Sequence, residues 1–190
     1  HRDLHSFPTR RSSDLVRKIR QRVHAGIVEA AYLLDSMSVE LIGDGRHVPR
    51  ELMQMVHKLK GPDRVVLVSD AMRAAGQDVT ESYLGRKIPA NRVIVEDGVA
   101  KLPDRSFYAG SIATADQMLR NAVMHNKLPL PDVVRMMTLT PARLIGVGGR
   151  KGSLEAGKDA DIVVLDPQLQ VQAVFARGRL IDLENGEEIC

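Results

Sequence analysis

The chain has 190 residues, 44% of them apolar and 27% charged, a balance that supports a buried core and reads as a soluble globular protein and not a disordered one. The formal charge of +3 is uneven: residues 1–23 carry seven basic and two acidic side chains, so the rest of the chain sums to −2. With no basic fold surface, three Phe, three Tyr and no Trp, a nucleic-acid partner is not expected; with no apolar run near the ~20 residues that span a bilayer, neither is a membrane.

The head, "HSFPTRRSSDL" from His5 to Leu15, resembles the translation of a sequencing adapter. Residues 1–15 are therefore expected to be an artefactual or disordered head outside the fold, with no secretory signal. "GIVEAAYLLDSM" (Gly26–Met37) reads as a packed helix and "VELIG" (Val39–Gly43) as a buried strand. In "PRELMQMVHKLKG", Pro49 suits a helix start. Leu52, Met55, Val56 and Leu59 fall at i, i+3, i+4 and i+7, and Gly61-Pro62 stops the helix. The strand "RVVLVS" (Arg64–Ser69) follows, so strand, helix and strand succeed one another as in the crossover of a parallel sheet.

From Tyr83 to Asp104 β-branched residues are broken by Pro89-Ala90-Asn91 and Glu96-Asp97-Gly98, which predicts a β-hairpin excursion turning at Asp97-Gly98. "YAGSIATADQMLRNAVMHN" then predicts a Gly-Ser turn and a helix. Thr114 and Gln117 form its capping box, and Met118, Ala122 and His125 lie along one side. "PDVVRMMTLTPARLIGV" predicts two short helices, the second with Thr140 as N-cap and Pro141 at its first position. Residues 149–190 turn to short strands and glycines, a separate small β-unit. The chain's one cysteine, Cys190, allows no internal disulfide, which fits a reducing cytoplasm.

Two strands end in polar groups. "VELIG" runs into Asp44-Gly45-Arg46-His47 and "RVVLVS" runs into Asp70, so a rigid strand presents each polar side chain on a loop. An acid at Asp70 can act as a general base, ligate a metal, or merely cap the turn through Ala71 and Met72. His47 can bind substrate or donate to a developing oxyanion, or be a loop histidine bonded to Asp44. His57 and His125 read as structural or solvated. "YAGS" (Tyr108–Ser111) can bring backbone N–H groups to a ligand through Gly110, or be an ordinary turn. Arg17, Lys18, Arg20 and Arg22 can meet phosphate or form a solvated face. No His-x-His, His-Glu-x-x-His or Cys-x-x-Cys occurs, so no metal ligands are expected within this chain.

The segments "ELIGDGRHVP", "LVSDAMRAAG", "VIVEDGVAKLPDRSFYAGSIATADQMLRNAV", "LTPARLIG" and "KGSLEAGKDADIVVLD" together resemble the N-acetylglucosamine-6-phosphate deacetylases of the amidohydrolase superfamily. The likeness runs from Val16 to about Gly186. It implies an α/β fold: residues 16–148 as the C-terminal half of a (β/α)₈ barrel with the hairpin insertion near 83–104, and 149–190 as part of a β-sandwich. It implies a cytoplasmic enzyme that hydrolyses the acetamide of N-acetylglucosamine 6-phosphate, a homodimer when full length. Asp70 would be the catalytic base and acid on water held by a divalent metal of the zinc or iron class, whose ligands lie outside this chain. Asp44, Gly45, Arg46 and His47 would contact the sugar, Tyr108, Ala109 and Gly110 would line its site, and Arg22 lies nearest the phosphate-binding arginine that reaches in from a partner subunit. Alternatives are another amidohydrolase, dihydroorotase-like or deaminase-like, and a non-catalytic sugar-phosphate-binding remnant. On the resemblance, these 190 residues alone are expected to be inactive and poorly stable.

Overall fold

We describe a computed structural model of the chain that covers residues 16–19 and 22–183, with side chains from residue 26 onward. The head at 1–15 and Cys190 lie outside the described residues. The described residues fall into two compact units, divided between Val39 and Glu40. In the first, β1 (Val16–Ile19) pairs antiparallel with β2 (Arg22–Ala25). Helix α1 (Ile27–Leu33) opens where Glu29 Oε2 accepts the Gly26 N–H at 2.8 Å. It is shorter than the helix expected over Gly26–Met37. It has no buried residue to reward a further turn, and Leu34 is already extended.

The second unit begins with β3 (Val39–Ile42), helix α2 (Arg50–Lys60) and β4 (Val65–Val68), with β3 paired to β4. Val65, Val66 and Leu67 are all buried, the unbroken apolar pattern of a strand covered on both faces. The strand–helix–strand reading holds, but the buried side of α2 is not the one expected. Met53 and Val56, at i and i+3, face the core, whereas Leu52, Met55 and Leu59 are 40%, 43% and 56% exposed. Helix α2 packs against β4, and of the four apolar residues at i, i+3, i+4 and i+7 only Val56 is buried.

The expected hairpin is present and larger. Strands β5 (Glu81–Tyr83), β6 (Arg92–Glu96), β7 (Val99–Lys101) and β8 (Tyr108–Ser111) form one antiparallel sheet in that order. Asp97 and Gly98, at φ +53° and +74°, make the tight β6–β7 turn with the backbone twist of a primed hairpin. The Gly-Ser segment is therefore strand β8 and not a turn.

Helix α3 (Ala115–Arg120) has the predicted capping box, with Gln117 Oε1 accepting the Thr114 N–H at 3.1 Å. At Asn121–His125 the helix widens to a π-turn, in which the Asn126 N–H donates to Asn121 O at 2.9 Å. Met118 and Ala122 are buried as expected, and His125 is exposed at the end of the widened turn. His57 is structural: its Nε2 meets Asp132 Oδ2 at 2.9 Å and ties α2 to α4 (Leu130–Met137).

Helix α5 (Leu139–Leu144) starts earlier than its sequence suggests, with Thr138 at the cap. Thr140 is buried and donates its hydroxyl to Pro62 O at 2.7 Å, a tertiary bond in place of the expected cap. Arg135 and Arg143 both reach Asp63, at 2.7 and 3.3 Å. The chain closes with the antiparallel sheet of β9 (Ile162–Leu165), β10 (Val171–Ala176) and β11 (Arg179–Ile181). Asp161 Oδ1 accepts the Arg177 N–H at 2.9 Å and joins the entrance of β9 to the β10–β11 turn.

Candidate active site

The loop after β3 is built around Asp44. Its carboxylate is buried and accepts three hydrogen bonds: Oδ1 takes the backbone N–H groups of Arg46 and His47, each at 2.9 Å, and Oδ2 takes His47 Nδ1 at 2.7 Å. Burial alone would raise the Asp44 carboxyl. The bonds from the His47 and Arg46 backbone and from the imidazole outweigh it and hold the group below the usual carboxylate range. An ionised Asp44 accepts only, so Nδ1 carries the shared hydrogen and Nε2 is left for another partner. His47 is thus the loop histidine bonded to Asp44, and its other nitrogen is uncommitted among the described residues. The imidazole stands edge-on to the Tyr108 ring, 5.1 Å between centroids at 65°.

Asp70 follows β4 in the left-handed region, at φ +48°. Asp70 does not cap the turn through Ala71 and Met72, because neither N–H is available. The Ala71 N–H goes to Ser69 Oγ at 3.3 Å, and the Met72 N–H to Ser111 O at 2.8 Å. The Asp70 carbonyl accepts the Ser111 N–H at 3.0 Å, while its side chain is exposed and bonds to none of the described residues. The structure therefore keeps this carboxylate out of the fold's own hydrogen bonding.

Strand β8 joins the two loops. Val99 pairs with Ser111 and Lys101 with Tyr108, so Ala109 and Gly110 together oppose Ala100 alone, a β-bulge. Gly110 sits at φ +101°, where a Cβ would lie 3.5 Å from Asp70 O and from Met72 Cβ. Ala109 is buried against Val93 and Ala100. One end of β8 thus carries Tyr108 against His47. The other pairs with the loop of Asp70 through the parallel bridge Ala71–Ser111. The two ends are about 10 Å apart at the rise of an extended strand.

The remaining expected residues divide. Gly45 and Arg46 belong to the Asp44 turn, and the Arg46 guanidinium lies over the β6–β7 turn, 3.5 Å from where a Cβ of Gly98 would be. Arg22 lies in β2 of the first compact unit, and its side chain is outside the described residues. Among the described residues no three His, Cys, Asp or Glu side chains gather as a metal site. Asp44 and His47 occupy one another and Asp70 stands apart, so these residues do not by themselves form a cation cage. The sequence reading missed Asn121, whose Nδ2 donates to Asp44 O at 2.9 Å. An amide within a helix has no chemical signature in sequence.

The family model of the amidohydrolases matches residues 14–181. The chain belongs to the amidohydrolase family. This amidohydrolase is 35% identical over 155 residues to an N-acetylglucosamine-6-phosphate deacetylase of Lysinibacillus sphaericus, covering 82% of the chain and 38% of that protein. It is 34% identical over 156 residues to an N-acetylgalactosamine-6-phosphate deacetylase of Escherichia coli O157:H7, covering 82% of the chain and 40% of that protein. A variant of the N-acetyl-D-glucosamine-6-phosphate deacetylase of Mycobacterium smegmatis has been solved with N-acetyl-D-glucosamine-6-phosphate. It superposes with a TM-score of 0.75 at 35% identity, over 87% of this chain and 42% of that one. This amidohydrolase therefore spans about two fifths of the length of these relatives.

Proposed function

We propose that this site deacetylates an N-acetylated amino-sugar 6-phosphate as the C-terminal half of a (β/α)₈ amidohydrolase barrel, in a protein that is cytoplasmic and a homodimer at full length. The observation that carries the reading is β8. It joins an acid free of structural bonds, Asp70, to a histidine oriented by a buried carboxylate, His47. The relatives named for this reaction support the choice of substrate.

The chemistry assigned to the chain's own residues is proton transfer and orientation. As water adds to the amide carbonyl carbon, its proton passes to the Asp70 carboxylate. When the C–N bond breaks, Asp70 returns that proton to the departing nitrogen, leaving acetate and the free amine. Asp44 fixes the ring of His47 through Nδ1 and so directs Nε2 at the carbonyl oxygen, where an Nε2–H donates as that oxygen gains negative charge. Tyr108, Ala109 and Gly110 line the sugar, Gly45 and Arg46 complete the loop facing it, and Arg22 reaches a partner subunit's phosphate site. A divalent metal of the zinc or iron class belongs to this reaction through ligands outside the chain. The described residues do not build its cage.

The test is a chimera of the Lysinibacillus sphaericus deacetylase in which residues 16–183 of this chain replace the matching segment. It should release acetate from N-acetylglucosamine 6-phosphate, and Asp70→Asn in it should lower kcat by about 10²- to 10⁴-fold, the range of general acid–base catalysis. Equal acetate release by the chimera and its Asp70→Asn form would remove Asp70 from the reaction.

A further inference from the structure

Asn121 is the last residue of α3's ordinary register before the widened turn, its own N–H still donating to Gln117 O. Had α3 continued as an ordinary α-helix, the Asn126 N–H would not bond back to Asn121 O. The i→i+5 bond at 2.9 Å is followed by one from the Leu128 N–H to Ala122 O at 3.1 Å, so the excess residue is absorbed over one turn. At the start of that turn, Asn121 sends its Nδ2 to Asp44 O at 2.9 Å. The fit there is close. A Cβ on Gly45 would stand 3.2 Å from Asn121 Nδ2, and one on Gly43 would stand 3.4 Å from Met118 Cβ, one turn earlier on the same helix. Residues 43–45 are thus gripped from one side by Met118 and Asn121.

Asp44 is the link between this grip and the chemistry. Its carbonyl is held by Asn121, while its carboxylate holds the His47 backbone and imidazole. We propose that Asn121 is a positioning residue, which fixes the Asp44 turn and through it the direction of His47 Nε2 without touching substrate. Its importance for turnover rests on the deacetylase reading; the orientation of His47 can be measured without it.

The experiment is NMR on the full chain, following the His47 Nδ1–H and the ring contact between His47 and Tyr108. Asn121→Asp keeps the side chain's volume but turns an oxygen toward the Asp44 carbonyl, and Asn121→Ala removes the donor. Both should speed exchange of the His47 Nδ1–H by about 5- to 10-fold, the factor expected for one net hydrogen bond, and weaken the ring contact. A purely structural role would lower the melting temperature and leave the His47 signals of the folded protein unchanged, and that result overturns the proposal. Should both variants fail to fold, the wild-type protein decides. Slow exchange of the Asn121 side-chain amide protons supports the proposal, and exchange as fast as that of an exposed amide refutes it. Adding N-acetylglucosamine 6-phosphate to the wild type tests the deacetylase reading separately. No response at His47 counts against that reading and leaves the Asn121 result standing.

Discussion

Asp70 and Asp44 are both carboxylates at strand ends, and the fold treats them oppositely. Asp44 is consumed by structure: three hydrogen bonds reach it and its proton affinity falls. Asp70 is spared, its neighbours' N–H groups being bound elsewhere. Asp70→Asn should therefore shift folding stability by no more than about 0.5 kcal/mol, as for an exposed site, while removing the proposed proton transfer; urea titration beside the acetate assay checks both. The Asp44 carboxyl lies lower in the folded chain than in the unfolded one, so its contribution is complete above pH 3.8 and fades as pH falls below that value. Urea midpoints measured from pH 6 down to 3 should show this loss in the wild type and a smaller loss in Asp44→Asn. The Asp44–His47 pair is legible in the sequence because Asp-x-x-His after a strand is a compact turn. Asn121 is not, because its partner lies 77 positions away and is a backbone carbonyl.

At the scale of elements, the chain carries two local irregularities near these residues: the bulge in β8, which joins the two loops, and the π-turn in which the helix of Asn121 ends. Both hide from periodicity, since each adds a residue to a regular repeat. Strand β4 and the Asp97-Gly98 turn follow their sequence signals closely, and β3 forms where expected but is not the buried strand expected, since none of Val39–Ile42 is buried and Glu40 is exposed; Tyr108–Ser111 reads as a turn because glycine and serine favour turns and the bulge breaks its alternation. On α2 the burial departs from the apolar spacing for a different reason. Its sequence has apolar residues on more of its circumference than the core uses, and periodicity does not say which of them meet β4. Gly110→Ala places a side chain at φ +101°, in contact with the Asp70 carbonyl. It should cost about 1–3 kcal/mol, the range for a strained backbone position, and in the chimera it should reduce activity along with stability. Wild-type activity at reduced stability would detach the bulge from the site.

At the scale of the whole molecule, the chain spans about two fifths of its relatives and exposes large apolar side chains that a complete domain seldom leaves bare. Leu52, Met55 and Leu59 line one side of α2, and Val163 and Val164 lie exposed on β9. The isolated chain should bind a hydrophobic dye and melt below about 45 °C, the lower edge of ordinary mesophilic domains. Leu59→Glu should reduce dye binding with little change in melting temperature, and a marked drop would show that Leu59 is packed in solution.

The central claim is that the loops ending β3 and β4, joined by β8, face one sugar phosphate. Titrating the isotope-labelled chain with N-acetylglucosamine 6-phosphate tests it most directly. The account predicts saturable NMR shifts concentrated at residues 44–47, 69–71 and 108–111. Shifts confined to other parts of the chain, or none at millimolar ligand in a folded sample, would contradict it.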